Sequence, residues 1–494
     1  MTPAAHHPSP AAIAHLSLAF RAQHRSLKPR RLFPPPSHQN LLTLAIETSC
    51  DDTAVAILEK SGARARLHFS HKISSNNVAY HGIHPVVALE SHQENLSSLV
   101  QKALHHLPHH DGVSPQNVVG ISSVQGSIAW KQKPDFIAVT RGPGMRSNLA
   151  NGIDTAKGLA VAWQIPLVGV HHMQAHALTP RLVSALEPPA SLAHVDVVGD
   201  TQDLRPIFPF MSLLVSGGHT LLLRCRSITE HEILASTADC AIGDCIDKVS
   251  RAILPDSVLS EAKSVMYGPL LERFVFKSPD DYHYTPPANR REEVELCQAP
   301  GPFGWPFPTP LTISSGGRKW RAMEFSFTGL VTYTSRLITN GWDTERNKPS
   351  QTPRTEPISE AEARWIAREC MRSAFEHLAS RAIMALEEEV QSGCATSQTL
   401  VLSGGVAANG FLRHVMRSYL DARGFSGVQL AYPPVALCTD NAAMIAWAGC
   451  EMFEAGHSDS LRIRALRKWS LENILHPERE EGPRDPSTGP VVAD

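Results

Sequence analysis

The chain has no apolar run long enough to cross a bilayer. A spanning helix needs about 20 consecutive apolar residues. The most apolar stretches, around Leu213–Leu223 and Thr399–Leu412, are shorter and broken by glycine and polar residues. An integral membrane protein is not expected, nor a membrane partner. The nine cysteines are odd in number and never form CxxC. That argues against a disulfide framework or a zinc ribbon, and a reducing compartment suits the chain better. Acidic residues are missing altogether from Met1 to Ile46, where Arg21, Arg25, Lys28, Arg30 and Arg31 are all basic. Acid-free, arginine-rich and able to form an amphipathic helix over AAIAHLSLAFRAQHRSL, residues 1–40 are expected to be a mitochondrial transit peptide. A secretory signal fits less well, because the apolar run is short and precedes the arginines. A plain basic tail is the alternative.

What remains is a globular chain of ordinary composition. At 494 residues it has room for two or three domains. The whole sequence carries 46 basic and 48 acidic residues, and removing the five N-terminal cations leaves 41 against 48. A body near −7 is no general polyanion binder, so any nucleic acid must be gripped by a local patch.

LLTLAIETSCDDTAVAILEK opens the body as strand, polar turn, strand, with Leu41–Ile46 and Ala54–Leu58 as the strands. The turn Glu47–Thr53 carries three carboxylates, three hydroxyls and a thiol. Such a turn facing nucleotide phosphates begins the actin-like ATPases, but most Asp/Ser/Thr turns are merely turns. A helix is expected over 86–104. DFIAVTRGPG, SNLANGIDTAKGLAVAWQ and IPLVGVHH then read as strand, glycine turn, helix and strand, an α/β unit whose turn lies where ligands gather. FPFMSLLVSGGHTLLLRCRS reads as two strands joined by Ser216–Thr220. Ser359 opens a long helix to Val390, with Glu362 completing a capping box. TLVLSGGVAANGFLRHVMRSYL and VQLAYPPVALCTDNAAMIAWAG each read as strand, turn and helix. Glu187–Pro209 and Ser278–Arg318, the latter with eight prolines, resemble exposed insertions. The lobes are expected at 41–181 and 207–455, joined by 182–206. The segment 456–494 follows, with a disordered tail from Glu478.

Three constellations carry chemistry. His172 and His176 are four apart, so a helix puts both imidazoles on one face, able to share one divalent ion. Histidine is abundant here, at 25 residues, so chance explains the spacing equally well. Met173 stands where an HExxH glutamate would be, which argues against a zincin protease. The turns VSGGHT and LSGGVAAN follow apolar strands, and their glycines let backbone N–H groups approach an anion. Together with RGPG they suggest a phosphate-binding cleft. Asp440 lies near a helix start, where it is either a cap or the missing carboxylate ligand.

Taken together, these segments resemble the tRNA N6-adenosine threonylcarbamoyltransferase family, once called glycoproteases. The resemblance rests on IETSCDDTAVAI, PVVALESHQENL, AVTRGPGMRSNLANGIDTAKGLA, VHHMQAHAL, LLVSGGHT, GDCIDKVSRAI, YGPLLERF, SFTGL, LSGGVAANGFLR and CTDNAAMIAWAG, in family order from Leu41 to about Leu475. It implies an α/β actin-like fold of two lobes with a cleft between them, binding threonylcarbamoyl-AMP. It implies a divalent metal (Fe, Zn, Mn or Mg) on His172, His176 and Asp440. It implies substrate contacts from Ser216, Gly217, Gly218, His219, Thr220, Asp247, Gly268 and Asn409, and a catalytic role for Asp51, as proton acceptor or as partner of a metal-bound water. GDCIDK departs from the family's GEAFDK, with Asp244 replacing glutamate, and Val331 replaces a frequent lysine. With a transit peptide the likeness is to the mitochondrial branch. It implies a homodimer in the matrix acting on mitochondrial tRNA, without the larger assembly of cytosolic relatives. A metallopeptidase, an actin-like phosphotransferase and a non-enzymatic nucleoid protein are the rival readings. For the tRNA contact, two cation sets stand out: Arg364, Arg368 and Arg372 on one helix face, and Arg462, Arg464, Arg467 and Lys468 near the C-terminus.

Overall fold

The structure, a computed structural model, describes residues 40–80, 82–110, 117–122, 126–186, 204–262, 265–311, 319–393 and 397–477. The expected targeting segment lies outside these residues except for its last position, as do 187–203 and the tail from 478.

The expected hairpin is β1 (Asn40–Glu47) and β2 (Asp52–Ser61), paired antiparallel from Asn40↔Ser61 to Glu47↔Ala54. A strand that sequence reading did not anticipate, β3 (Arg64–Ser74), extends it. None of its residues is fully buried, and with polar groups on both faces the period-two signal is blurred. The hairpin β4 (Val118–Ser122) and β5 (Ile128–Gln132) stands apart. Strands β6 (Phe136–Gly142) and β7 (Leu167–His171) lie parallel beside β1, giving the order β3-β2-β1-β6-β7. The second sheet repeats this plan. Strands β8 (Phe210–Val215), β9 (Thr220–Cys225) and β10 (His231–Thr237) are antiparallel, with β11 (Glu324–Phe325) at the edge. Strands β12 (Thr399–Ser403) and β13 (Gln429–Ala431) continue parallel from β8. Two copies of one three-antiparallel, two-parallel sheet make the two lobes of the actin-like α/β fold.

Alternation along each strand sends side chains to two different cores. In β1, Leu42, Leu44 and Ile46 face α1 (Pro85–His105) and α2 (Arg146–Trp163), whereas Ala45 faces the opposite layer. That opposite layer is made of α3 (His172–Leu186) and the last long helix. On the outer side of the second sheet, Met211, Leu213 and Val215 meet five helices: α4 (Ile242–Ile253), α5 (Gly268–Val275), α6 (Thr328–Asn340), α7 (Glu360–Ser392) and α8 (Gly410–Ala422). Its inner side, Phe210, Leu214 and Leu223, meets α3 and α9 (Ala442–Glu454). Helix α9 follows the second lobe in the chain yet packs on β1, β2 and β6 of the first. So α3 and α9 form a middle layer shared by both sheets.

The proline-rich segment from Ser278 is not simply an exposed insertion. Its Trp305 and Phe307 are buried in the second-lobe core, and Trp305 meets Trp365 of α7 edge-on at 4.5 Å. Apolar residues scattered among prolines give no helical or strand period, so the burial was invisible to pattern reading. Ser359 caps α7 as expected, its hydroxyl accepting from the Glu362 N–H at 3.2 Å, but Glu362 does not complete the box, because its carboxylate is taken by Arg354.

Candidate active site

The chain passes from β7 into α3 without a loop. His171 makes that join possible: its Nδ1 accepts from the Met173 N–H at 3.1 Å and its Nε2 donates to the Trp469 carbonyl at 3.0 Å. Burial, above all, lowers its pKa to about 3 and keeps it neutral for this double role. The next residue, His172, and His176 one turn on, then face the cleft, their rings edge to face at 4.8 Å.

Asp440 meets both, although 264 positions separate it from His176. Its Oδ1 lies 3.0 Å from His176 Nε2 and 3.4 Å from His172 Nε2. The helix-capping alternative for Asp440 is removed, because Asn441 is the cap of α9, accepting from the Met444 N–H at 3.0 Å. Among the described residues, these three offer donor atoms all within 4.8 Å of one another. Two imidazoles and a carboxylate suit a divalent ion of intermediate softness.

Glu47, at the end of β1, was not singled out from the sequence. Its carboxylate lies 3.2 Å from His172 Nδ1, accepts from the Ser49 N–H at 2.5 Å and bonds the Thr140 hydroxyl. An Nδ1–H donated to Glu47 leaves the Nε2 lone pair of His172 aimed at Asp440, which is how an outer carboxylate orients a metal-binding imidazole. Burial alone would lower the His172 pKa, but Asp440 and Glu47 overcome it and hold the ring up to about 10. Without an ion, a proton on His172 balances the buried Glu47 and the half-buried Asp440. Glu47→Gln is expected to weaken metal binding about 10–100-fold with the fold retained. Calorimetric titration with Zn(II) or Mn(II) checks it, and an unchanged affinity would refute this orienting role.

The hairpin turn is held from both sides. His92 of α1 donates from Nε2 to the Cys50 carbonyl at 3.0 Å and accepts at Nδ1 from Thr53 Oγ1 at 2.7 Å. Lys72 of β3, also missed because its strand was, donates to Asp52 at 2.7 Å, to Thr439 Oγ1 at 3.0 Å and to the Asp440 carbonyl at 3.1 Å. It ties the turn of one lobe to the CTDN loop of the other. Asp52 is thus committed to Lys72 and to the Ser74 hydroxyl. Asp51 is buried beside it, its pKa raised to about 6 first by burial and then by the charges of Asp52 and Asp440.

The second-lobe wall is built from glycine turns. Ser216 closes the first through its hydroxyl, which accepts from the His219 N–H at 3.0 Å, and Thr220 Oγ1 accepts from Ile242 N at 2.9 Å. A Cβ on Gly217 or Gly218 would meet nothing within 4 Å, so packing does not demand glycine there, and the bare backbone is exposed. Gly404 is demanded: its φ is +93°, and a Cβ would lie 2.4 Å from the Val215 carbonyl oxygen. The structure brings Asp247 and Gly268 together, Asp247 Oδ1 accepting from the N–H groups of Tyr267 at 2.7 Å and Gly268 at 3.2 Å. Asn409 caps α8, accepting from Leu412 N at 2.9 Å, so its oxygen has a structural partner. His219 is lowered to about 4 by burial and then by His172. Asp247, Gly268 and Asn409 are not part of the His172–His176–Asp440 cluster.

Each arginine of the stripe on α7 has a carboxylate partner. Arg372 pairs with Glu369 and Glu376, each at 2.6 Å, Arg364 with Glu360 at 2.6 Å, and Arg368 with Glu369 at 2.7 Å. Four-residue spacing puts cations on one face, but acids on the same face neutralise them.

A sequence model of the family described as "TsaD: tRNA N6-adenosine threonylcarbamoyltransferase" matches residues 127–447. The mitochondrial tRNA N6-adenosine threonylcarbamoyltransferase of Schizosaccharomyces pombe is 32% identical over 457 residues, 89% of each chain. The Cereibacter sphaeroides tRNA N6-adenosine threonylcarbamoyltransferase is 31% identical over 435 residues, 87% of this chain and 94% of that one. Among solved structures, T. kodakarensis HypF aligns over 85% of this chain and 48% of its own, at 14% identity and a TM-score of 0.39. The match over both glycine turns, the paired histidines and the CTDN loop, in a chain of nearly equal length, places this protein in the tRNA N6-adenosine threonylcarbamoyltransferase family.

Proposed function

We propose that this transferase, of the mitochondrial branch, moves the threonylcarbamoyl group from threonylcarbamoyl-AMP to N6 of the adenosine immediately 3′ of the anticodon. Its substrates would be mitochondrial tRNAs reading codons that begin with A, and it would act as a homodimer in the matrix. The observation that carries the reading is the meeting of His172, His176 and Asp440 across the cleft, opposite glycine turns with bare backbone.

A divalent ion held by those three residues supplies Lewis-acid polarisation of the threonylcarbamoyl group. The rest falls to the chain. The Ser216–Thr220 turn and the Gly404–Asn409 turn offer N–H groups to the adenylate phosphate. Asp247 keeps one oxygen on the Tyr267 and Gly268 amides, and its other oxygen would take a ribose hydroxyl. N6 attacks the carbamoyl carbon, the new C–N bond forms, the C–O bond to phosphate breaks, and AMP leaves with that electron pair. The amine must lose a proton as it attacks, and Asp51 accepts it. An unstacked anticodon-loop base can reach such a cleft where a duplex base cannot.

The test is a single-turnover reaction with threonylcarbamoyl-AMP, saturating divalent ion and unmodified tRNA, read by mass analysis of tRNA nucleosides. Threonylcarbamoyladenosine is the expected product, and release of AMP without it would reject the reading. Ionised Asp51 is the acceptor and its pKa lies near 6. The rate is therefore expected to rise with pH through about 6 and then level off. Asp51→Asn is expected to cost about 10²–10⁴-fold and to abolish that rise. A variant that keeps the same pH profile would remove Asp51 from the proton path.

A further inference from the structure

We propose that Lys72 is a positioning residue for the transfer, a clasp from the first lobe that holds Asp440 against the paired histidines. The inference rests on the transferase reading above and concerns what keeps the three donors together. Lys72 lies on β3, the edge strand of the first sheet, opposite Ala54 of β2. Its ammonium has three N–H donors and no acceptor. Three acceptors meet it: Asp52 Oδ2 at 2.7 Å, Thr439 Oγ1 at 3.0 Å and the Asp440 carbonyl at 3.1 Å. Every donor is therefore used. One stays within the first lobe, and two cross to the CTDN loop, 367 and 368 positions away in the chain.

The simpler role for Lys72 is to neutralise Asp52. That carboxylate is buried, with its other oxygen accepting from the Ser74 hydroxyl, so it does need a cation. A single bond meets that need and leaves the two bonds to the other lobe without a purpose. Those two fall on the residue that supplies the third candidate metal donor and on the one before it. Asn441 Nδ2 also fastens the loop, donating to the Thr439 carbonyl at 2.8 Å, but it moves with the loop's own lobe. Lys72 instead joins the loop to the hairpin turn that carries Asp51. A carboxylate goes where its backbone goes. Fixing the Asp440 carbonyl limits where Oδ1 can lie, and Oδ1 must stay close to both His172 and His176. A donor set drawn from two lobes keeps its spacing only while the lobes are held, and Lys72 does this from outside the set, as partners behind metal ligands do.

The test uses the full chain. Metal-free protein is titrated with Zn(II) by calorimetry, and threonylcarbamoyl transfer is measured against tRNA concentration. Lys72→Met is expected to weaken Zn(II) affinity about 10–100-fold and to lower kcat by a similar factor, with KM for tRNA unchanged. The same variant strands the buried Asp52 charge, so it is paired with Asp52→Asn in one chain. K72M/D52N strands no charge. It should melt at the wild-type temperature yet keep both losses. Thr439→Val leaves Lys72 and Asp52 paired and should still cost about tenfold in Zn(II) affinity. Wild-type affinity and rate in K72M/D52N would show Lys72 to be a counter-charge alone and overturn the clasp. Unchanged affinity in Lys72→Met would overturn it as well. The Zn(II) titration does not depend on the reaction. Wild-type protein that binds Zn(II) but makes no threonylcarbamoyladenosine therefore sinks the function, while the affinities still decide the clasp.

Discussion

His176→Ala and His172→Ala should each abolish stoichiometric metal binding and slow threonylcarbamoyl transfer about a thousandfold or more. The figure follows from about 4 kcal/mol of lost carbonyl polarisation, with each 1.4 kcal/mol a factor of ten. The remaining two donors cannot hold a labile ion, and truncation of one ring opens the site to water. The two variants should differ in stability. His172→Ala removes the ring that balances Glu47 and Asp440, leaving the buried Glu47 carboxylate without its imidazole partner. His176→Ala leaves that balance in place and is the milder change to the fold. Metal content after dialysis, by atomic emission, together with single-turnover rates, checks both. Full retention of metal in either variant would show that the ion sits elsewhere.

Arg181→Ala is expected to cost about 3–5 kcal/mol, although it touches neither His172 nor His176. Arg181 of α3 grips Glu451 of α9 with Nε and Nη2 at 3.0 and 2.6 Å, reaches the Pro206 carbonyl at 2.7 Å, and lies 4.8 Å from the Phe208 ring. Truncation strands a buried carboxylate between the two sheets. Because α3 carries His172 and His176 and α9 follows Asp440, the same pair is expected to hold the spacing of the three candidate metal donors. Urea unfolding should show the lost stability, and metal titration should show weakened affinity in the folded protein. Adding Glu451→Gln to Arg181→Ala should recover part of the stability by removing the stranded charge. A loss under about 1 kcal/mol with unchanged metal affinity would mean that the pair neither braces nor aligns the two helices.

Much of the site could be read from residue order, because local chemistry marks it. The hairpin turn at Glu47–Thr53, the HxxxH spacing and the two Ser-Gly-Gly turns are each set by contiguous residues. What joins them is not local. Nothing in the periodicity near Asp440 says that it returns to His176, or that Asn441 rather than Asp440 caps the helix. Glu47 and Asp51 look equivalent in a turn full of carboxylates; only the contacts with Thr140 and His172 set Glu47 apart from the proposed proton acceptor. Lys72 was hidden with β3, whose polar residues on both faces erase alternation. The arginines of α7 show the opposite case: a clear pattern of cations whose carboxylate partners enter only with the structure.

The placement of α9 has a consequence for how the protein comes into being. Ala45, Ala54 and Ala138 of the first sheet are covered by a helix that ends at residue 454. A ribosome emits β1 and β2 nearly four hundred residues before that cover exists. The first lobe therefore waits with one face only partly covered, by α3, until synthesis is almost finished, and its packing is completed after translation. Chaperone dependence, sensitivity to C-terminal nonsense mutations and failure of either lobe expressed alone are the corresponding cellular signatures.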